Sequence, residues 1–310
     1  MTPAFWQALP LTGAIADLSD YVILRLTGPD AVRYLNGQVT QDVRKLRPGR
    51  ALPGCVTTHK GKLEAFVHLT MDNAGGFLIT APGDLRGLLP LRLGKYLIAD
   101  DCILEDLTET TALVHLTAPL EEIRALLTGT EHPAALSRFG VPGFDLFICR
   151  ARLSFWLGQF PLLSPEDQST LEVLHAVPAW GAELSPDLLP PEAGLDVTAI
   201  DYYKGCYIGQ EVISRIRSVG RVNRKLVAFI QTEGPPVQPG FAIRPRHPGT
   251  DASTSAVIAG RISRTARHPL TGQLHALAFL QRGTPKGPLH AGPDDSPRSA
   301  VLEPRKSLDD

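Results

Sequence analysis

The segment 204–211, with the sequence Lys-Gly-Cys-Tyr-Ile-Gly-Gln-Glu, constrains this chain more than any other. It combines a thiol, an ammonium, two glycines, a carboxamide and a carboxylate. This mixture of groups is not typical of a core segment. Its glycines permit positive φ or close approach to a ligand. From Ile208 onward the apolar residues repeat at helical spacing. Cys206 is therefore expected just before a helix or within its first turn.

The chemistry of Cys206 has two readings from the residues alone. A helix N-terminus and the nearby Lys204 charge would both favour the thiolate. Glu211 acts in the other direction, because a neighbouring carboxylate raises the pKa of a thiol. A free cysteine is also commonly a small, inert, buried hydrophobe. A reactive thiol and a core residue both remain open at this point.

Composition limits the class of protein. The chain has 310 residues, of which 43% are hydrophobic and 20% charged, enough for a large core and two or three domains. A formal net charge of −1 argues against bulk attraction to a polyanion. One stretch is locally basic, which predicts either a solvated face or an anion site. Its basic residues are Lys204, Arg215, Arg217, Arg221, Arg224 and Lys225.

Cysteine usage and the apolar runs indicate the compartment. The four cysteines, at positions 55, 102, 149 and 206, are far apart and form no CxxC pair, so no metal site is expected. Residues 1–10 lack a basic signal-peptide region, and no apolar run is long enough for a membrane span. A cytoplasmic protein with free thiols is predicted.

Local patterns predict an α+β body followed by an all-β module. Alternating strands and Gly-rich turns over the first 150 residues are interspersed with short helices. From 225 to 290 short strands follow one another without long helices, which predicts a small β-barrel. The tail 291–310 is rich in Pro, Asp and Ser and is expected to be disordered. The strands are expected at 20–26, 51–58, 63–70, 77–80, 112–117, 144–149, 226–230, 256–262 and 276–280, and the helices near 31–35, 85–97, 120–127 and 169–177.

Four segments carry a resemblance to a known family. The string KGCYIGQE resembles the signature of the YgfZ family of folate-binding proteins, which is related to the T-protein (aminomethyltransferase) of the glycine cleavage system and includes an iron–sulfur assembly branch. Residues 35–43 are similar to an early N-x-x-T-x-D-V element of the family. Residues 60–62 resemble its KGK hairpin, and residues 189–195 resemble the LEAGL segment of T-proteins.

The resemblance covers most of the chain and implies an architecture. It implies an α+β, T-protein-like body of two intertwined α+β subdomains, with a C-terminal β-barrel, around a central cavity. The body would span residues 1–224 and the barrel residues 225–290.

The resemblance also implies a ligand, tetrahydrofolate or a derivative. One carboxylate can accept two parallel hydrogen bonds from the N–H and amino group on one edge of a pterin. In T-proteins the glutamate of the LEAGL segment has this role, and Glu192 occupies the matching position. From the residues alone, Glu192 is better explained as an early helix residue that complements the dipole.

Further candidates for the site follow from the resemblance. Cys206 would be the working thiol, with Lys204 beside it. An arginine would hold the glutamate end of folate, and an aromatic surface such as Trp180, Tyr202 or Tyr203 would meet its benzoyl ring. Asn36 is equally well explained as part of a helix stop. The candidate cofactor-binding residues besides Glu192 are Asn36, Thr40, Asp42, Tyr207, Gln210, Arg215 and Arg217.

One departure from T-proteins bears on catalysis. T-proteins carry an Asp-Asp pair after the glycine hairpin, where this chain has Glu64-Ala65. Strand alternation places these two side chains on opposite faces. If the catalytic carboxylate belongs at Ala65 the chain cannot perform aminomethyl transfer, whereas at Glu64 the carboxylate survives. T-proteins also lack the cysteine of the KGCYIGQE string.

The leading expectation is a tetrahydrofolate-binding protein that supports assembly or repair of iron–sulfur enzymes, including those that modify tRNA. Its partners would be folate and iron–sulfur client or assembly proteins; neither direct nucleic-acid binding nor a membrane is expected. The first alternative is a folate-dependent aminomethyl or one-carbon transferase, although a classical aminomethyltransferase is not expected. The second is a non-catalytic RNA-associated module that uses the basic run.

Overall fold

The computed structural model describes residues 1–218, 220–245, 258–285, 287, 289–293 and 299–305. Two antiparallel sheets form the body. Their strands, in chain order, are β1 Ile15–Asp17, β2 Val22–Thr27, β3 Leu52–Thr57, β4 Leu63–Met71, β5 Phe77–Ala81, β6 Ile103–Asp106, β7 Thr111–Leu116, β8 His132–Ala135 and β9 Phe144–Cys149.

The chain passes between the two sheets twice. It begins in a four-stranded sheet of order β1-β7-β9-β8 and enters a five-stranded sheet of order β3-β4-β5-β2-β6. It then returns to the first sheet for β7, β8 and β9. The two α+β halves are therefore intertwined, as the resemblance implied. Burial alternates along β4 because one of its faces fills the core of the five-stranded sheet.

Short helices connect and cover the sheets. Pro90 lies in the first turn of the helix Leu89–Gly94, where its missing N–H costs no hydrogen bond. Within the described residues no helix is long and apolar enough to cross a bilayer. The helices are α1 Pro3–Thr12, α2 Ala31–Gln38, α3 Leu89–Gly94, α4 Leu120–Arg124, α5 Leu153–Leu157, α6 Pro165–His175, α7 Leu195–Thr198 and α8 Gln210–Ser218.

A closed barrel follows the body, in the order β10-β13-β12-β11-β14-β15. It has its own apolar core, centred on side chains such as Phe229, Ile262 and Leu302. Closure pairs every edge strand, which leaves no open sheet edge. The strands are β10 Arg224–Glu233, β11 Ala242–Pro245, β12 Gly260–Arg267, β13 Leu274–Gln281, β14 Leu289–Gly292 and β15 Ala300–Pro304.

The barrel continues past residue 290, where a disordered tail was expected. That expectation is wrong for residues 291–292, which belong to β14, and for residues 300–304, because β15 pairs with both β10 and β14. Ala300 and Leu302 are fully buried in the barrel core. The apolar run that they form outweighs the polar composition around it. Residues 294–298 and 306–310 of the expected tail lie outside the described residues.

A buried ion-pair cluster joins the barrel to the body. Arg264 of β12 donates to both carboxylate oxygens of Glu183, at 3.1 and 2.7 Å, and also pairs with Glu172 of α6. Ser263 donates to Glu183 at 2.6 Å. Charges removed from water need this degree of pairing to be tolerated. The cluster fixes the barrel against α6 and the segment that leads to Glu192.

Candidate functional site

Cys206 lies in an irregular loop and is exposed. The helix that follows, α8, begins at Gln210, so the thiol is four residues ahead of the helix and outside its first turn. The helix dipole acts mainly within the first turn, so it contributes little at this position. Of the other cysteines, Cys149 is exposed, Cys102 is half-buried and Cys55 is buried. Burial raises the pKa of the Cys55 thiol to about 12.

Lys204 anchors the loop from its first residue. Its Nζ donates to the carbonyl oxygens of Asn36, Val39 and Gln41 at 2.5, 2.6 and 2.8 Å, where α2 ends. The side chain is buried, and burial lowers the pKa of Lys204 to about 7. Its ammonium also lies 5.1 Å from the ring centroid of Tyr207. The ammonium is thus committed to backbone carbonyls, which gives Lys204 an anchoring role that the sequence did not predict.

Gly209 anchors the other end of the loop against the β3–β4 hairpin. Its φ is +90°, and a Cβ there would lie 2.5 Å from the carbonyl oxygen of Thr58. Thr57 Oγ1 donates to the carbonyl of Ile208 at 2.6 Å, and the N–H of Ile208 donates to Gly37 at 3.2 Å. Only glycine combines this conformation with this approach. Two segments that carry the family resemblance, the hairpin and the signature, are therefore in direct contact.

Thr40, a predicted ligand residue, is fully buried and holds the scaffold under the loop. Its Oγ1 accepts from the N–H of Cys55 at 2.9 Å and donates to the carbonyl of Ala199 at 2.6 Å. Its own carbonyl accepts from the N–H of Asp201 at 3.0 Å. The residue joins the end of α2, strand β3 and the segment that precedes the signature.

Asp42 and Asn36 are also engaged by their own chain. Asp42 accepts from the N–H and the Nε of Arg44 at 3.1 and 2.8 Å, and this pairing lowers the pKa of the Asp42 carboxyl. Asn36 Oδ1 accepts from the N–H of Val43 at 3.2 Å. These bonds order the turn between α2 and β3, onto which Lys204 is anchored.

Tyr207 and Gln210 complete the signature. Tyr207 is buried against Ile200 and Ile213, and its hydroxyl has no hydrogen-bond partner in the described part of the chain. Burial raises the pKa of the Tyr207 phenol. The N–H of Gln210, the first residue of α8, donates to the carbonyl of Tyr207 at 3.2 Å. The structure therefore places Tyr207 on the core side of the loop and Cys206 on the solvent side.

Arg215 and Arg217 lie exposed on α8. Arg215 pairs with Glu211 one turn earlier at 2.9 Å, a surface contact that contributes roughly 0.3–0.5 kcal/mol. The guanidinium of Arg217 lies 4.0 Å from the ring centroid of Tyr202 and 5.3 Å from that of Tyr203. Tyr203 is 86% exposed. A basic and aromatic surface thus lies close in sequence to the exposed thiol.

Glu192 lies in a 3₁₀ turn, Pro190–Ala193, that begins with two prolines. Its side chain is 8% exposed, and Oε2 accepts from the N–H of Leu189 at 3.3 Å and from Nε of Arg224 at 3.2 Å. Arg224 is the first residue of β10, and its guanidinium lies 4.8 Å from the ring centroid of Phe279. The carboxylate is therefore held where the body meets the barrel. Sequence reasoning counted Arg224 only as part of the basic run.

Three half-buried aromatic rings pack against the apolar cluster to which Ala193 of the Glu192 turn belongs. Trp180, Phe66 and Phe279 all contact the apolar cluster that includes Ala193. Trp180 was a candidate from the sequence, whereas the two phenylalanines were missed. Phe66 had a detectable signal, because it follows Glu64 by two residues and therefore shares its strand face. The signal for Phe279 was absent, because only the barrel topology brings it here.

Glu64 and Ala65 occupy opposite faces of β4, as strand alternation predicted. Ala65 is fully buried in the core of the five-stranded sheet. Glu64 Oε2 accepts from Nε of Arg92 at 2.5 Å, and Arg92 also donates to Gln38 Oε1 and the Thr57 carbonyl, both at 3.1 Å. The carboxylate that survives at this position is therefore tied to a buried arginine.

The described residues contain no group of three or more His, Cys, Asp or Glu side chains that could hold a metal ion.

The structure brings the predicted residues together in two places. Around the end of α2 lie Lys204, Asn36, Thr40 and Asp42, under the Cys206 loop. At the junction of body and barrel, Glu192 pairs with Arg224, whereas Arg215 and Arg217 have partners on or near α8.

Comparison with known proteins agrees with the resemblance. No protein-family model matches the chain. The tRNA-modifying protein YgfZ of Hamiltonella defensa is 28% identical over 247 residues, covering 72% of this chain and 71% of that protein. The protein of the same name from Cronobacter sakazakii is 27% identical over 278 residues, covering 83% and 82%.

The fold has a counterpart among solved structures. The glycine cleavage system aminomethyltransferase T from Bartonella henselae superimposes with a TM-score of 0.79, covering 96% of this chain and 86% of that one, at 16% identity. Its likeness extends through the closed C-terminal barrel. The α+β, T-protein-like fold class predicted from the sequence is confirmed. The chain is thus similar in sequence to the YgfZ proteins and similar in fold to aminomethyltransferase T.

Proposed function

We propose that this chain is a tetrahydrofolate-binding, YgfZ-type protein of the cytoplasm that supports assembly or repair of iron–sulfur enzymes, including enzymes that modify tRNA. The observation that carries the proposal is the buried Glu192 carboxylate, fixed by the Leu189 N–H where the body meets the barrel. The tRNA context is supported by relatives that are named tRNA-modifying proteins.

The residues around Glu192 fit a folate. A pterin needs a carboxylate for its donor edge and flat apolar surfaces for its ring faces. Glu192 supplies the first, and the half-buried rings of Phe66, Trp180 and Phe279 pack against the apolar cluster that includes its neighbour Ala193. Among the described residues both hydrogen bonds to the carboxylate end on Oε2. A ligand would therefore first donate a hydrogen bond to Oε1.

Cys206 is the proposed working thiol, presented outward. Lys204 and Gly209 fix the loop at both ends, and the thiol between them is exposed. A thiol on an anchored, solvent-facing loop is accessible to another macromolecule, such as an iron–sulfur client protein. Tyr203 and Arg217, which are exposed and close in sequence to Cys206, are residue types that commonly anchor protein interfaces.

A classical aminomethyltransferase is less well supported. Such chemistry needs a free carboxylate near the reactive nitrogens of the folate. Ala65 has no carboxylate and is buried in the core, and the Glu64 carboxylate is bound by Arg92. An assay for methylene-tetrahydrofolate formation from an aminomethyl donor is expected to detect no turnover; turnover would favour the transferase instead.

The cellular part of the proposal is tested by complementation. A strain that lacks the protein is supplied with wild type, Cys206→Ser, Glu192→Gln or the surface control Lys60→Met, and the activity of an iron–sulfur tRNA-modifying enzyme is measured. Wild type and Lys60→Met are expected to restore activity, and the other two to fall well short. Full rescue by Cys206→Ser would exclude the thiol role, and full rescue by Glu192→Gln would exclude a role for pterin binding.

A further inference from the structure

Arg224 contacts both features of the site that a pterin would use. Its Nε donates to Glu192 Oε2 at 3.2 Å, and its guanidinium carbon lies 4.8 Å from the centroid of the Phe279 ring. A single side chain therefore covers a carboxylate and an aromatic surface at the same time.

The guanidinium and the pterin edge have closely similar chemistry. Both are planar, and both present N–H donors on nitrogens attached to one carbon. Carboxylates pair with such a donor set through parallel hydrogen bonds, and aromatic rings stack against its face. An arginine and a pterin at this position would therefore compete for the same acceptor.

We propose that Arg224 is an internal placeholder, which occupies the pterin position on Glu192 until a ligand displaces it. The inference rests on the proposed function. Oε2 already accepts from Leu189 as well as from Arg224, and each carboxylate oxygen has two lone-pair sites. A bidentate pterin contact therefore requires the Arg224 bond to break.

The two partners differ in how freely they can move. Glu192 is 8% exposed and is held in a turn with two prolines, whereas the Arg224 side chain is 42% exposed. The arginine can swing into water at small cost, because water replaces its hydrogen bonds. In the ligand-free protein it offsets the cost of an otherwise unpaired carboxylate in a buried site. The placeholder therefore keeps Glu192 paired and correctly oriented.

The test uses 6-methyltetrahydropterin, which carries the pterin edge without the glutamate tail, titrated calorimetrically into the full chain. The proteins are wild type, Arg224→Met and Lys225→Met, a change at the next, exposed residue of the same strand. Removing the competitor raises the fraction of sites open to ligand, so Arg224→Met is expected to bind about two- to fivefold more tightly. Lys225→Met is expected to match wild type.

A second measurement varies the salt concentration during the same titrations. The placeholder is an ion pair and the pterin is uncharged, so added NaCl weakens the competitor more than the ligand. Apparent affinity for 6-methyltetrahydropterin is expected to rise with salt in wild type and to stay level in Arg224→Met.

The outcomes separate this inference from the proposed function. Binding by wild type that is unchanged or weaker in Arg224→Met overturns the placeholder and leaves the folate site intact. Binding by Arg224→Met alone, or tighter binding by it, supports the placeholder. Absence of binding in every protein overturns the folate site and the placeholder with it.

Discussion

The Lys204 ammonium lies 2.6 Å from the carbonyl oxygen of Val39, a residue 165 positions earlier in the chain. Two further carbonyls, of Asn36 and Gln41, share the same Nζ. A residue that the sequence offers as a neighbour for the thiol is thus the anchor of the loop that carries the thiol. The position of Cys206 depends on this long-range contact.

Lys204→Met is expected to destabilise the protein by about 1–3 kcal/mol near pH 8, because the buried carbonyls at the end of α2 lose the Nζ that donates to them. Urea denaturation measures the change, with Lys60→Met on the adjacent hairpin as the control. The effect should depend on pH. Burial lowers the pKa of Lys204 to about 7 from 10.5, so between these values the unfolded chain binds a proton that the folded chain does not.

The sign of this pH dependence follows from linkage. Stability of the wild type relative to Lys204→Met is expected to rise as the pH increases from about 7 toward 10, by at most about 1.4 kcal/mol per pH unit. A stability difference between the two proteins that stays level across this window would contradict a buried Lys204 with a lowered pKa.

Gly209→Ala is expected to unfold or severely weaken the signature loop. The added Cβ would lie 2.5 Å from the Thr58 carbonyl oxygen at a φ of +90°, and a cost of about 2–4 kcal/mol in the free energy of unfolding is expected. Gly205→Ala is the matched control, because no described atom lies within 4 Å of its added Cβ. Equal stability of the two variants in urea would show that the close packing at Gly209 is incorrect.

Arg264→Met is expected to loosen the barrel from the body. It leaves Glu183, whose side chain is fully buried, without its ionic partner, at a cost of about 3–5 kcal/mol. Glu183→Gln in the same background should recover part of this loss, because it removes the unpaired charge. Arg267→Met, an exposed change on the same strand, serves as the control. If Arg264→Met lowers the melting temperature in thermal denaturation no more than Arg267→Met does, the role of the cluster is contradicted.

Alkylation of the thiols should follow their exposure. Iodoacetamide at pH 8, followed by mass spectrometry of peptides, is expected to modify Cys206 and Cys149 in the folded protein. Cys55 should react only after denaturation, because it is buried and its pKa is raised to about 12. Labelling of Cys55 at the rate of Cys149 would contradict the packing of β3.

Elements with strong local signals were predictable from sequence. Strands β4, β5 and β9 are largely apolar runs of five or more residues bounded by turn residues, and their predicted bounds agree with the structure to within one residue. The short strands β1, β6 and β8 have three or four residues, too few for a periodic signal, and they form because distant partners pair with them. Strand β15 was not predicted, because the residues around it in the sequence are mostly polar.

The site was predictable only where a segment matched the family. Glu192 was found through its motif, but its partner Arg224 lies 32 positions away and contacts it only because the barrel returns to the body. Phe279 likewise reaches the site only because the barrel returns to the body. The residue types of the signature were informative about function, whereas the roles of Lys204 and Gly209 depended on contacts that no local pattern encodes.

The most direct test of the central claim is calorimetric titration of tetrahydrofolate into wild type, Glu192→Gln and Cys206→Ser. We expect wild type and Cys206→Ser to bind equally, because the exposed thiol is not part of the Glu192 turn. The affinity of Glu192→Gln for tetrahydrofolate should be lower by roughly tenfold or more, because a charge-assisted contact becomes a neutral one. Equal binding by Glu192→Gln, or absence of binding by wild type, would contradict a folate site at Glu192.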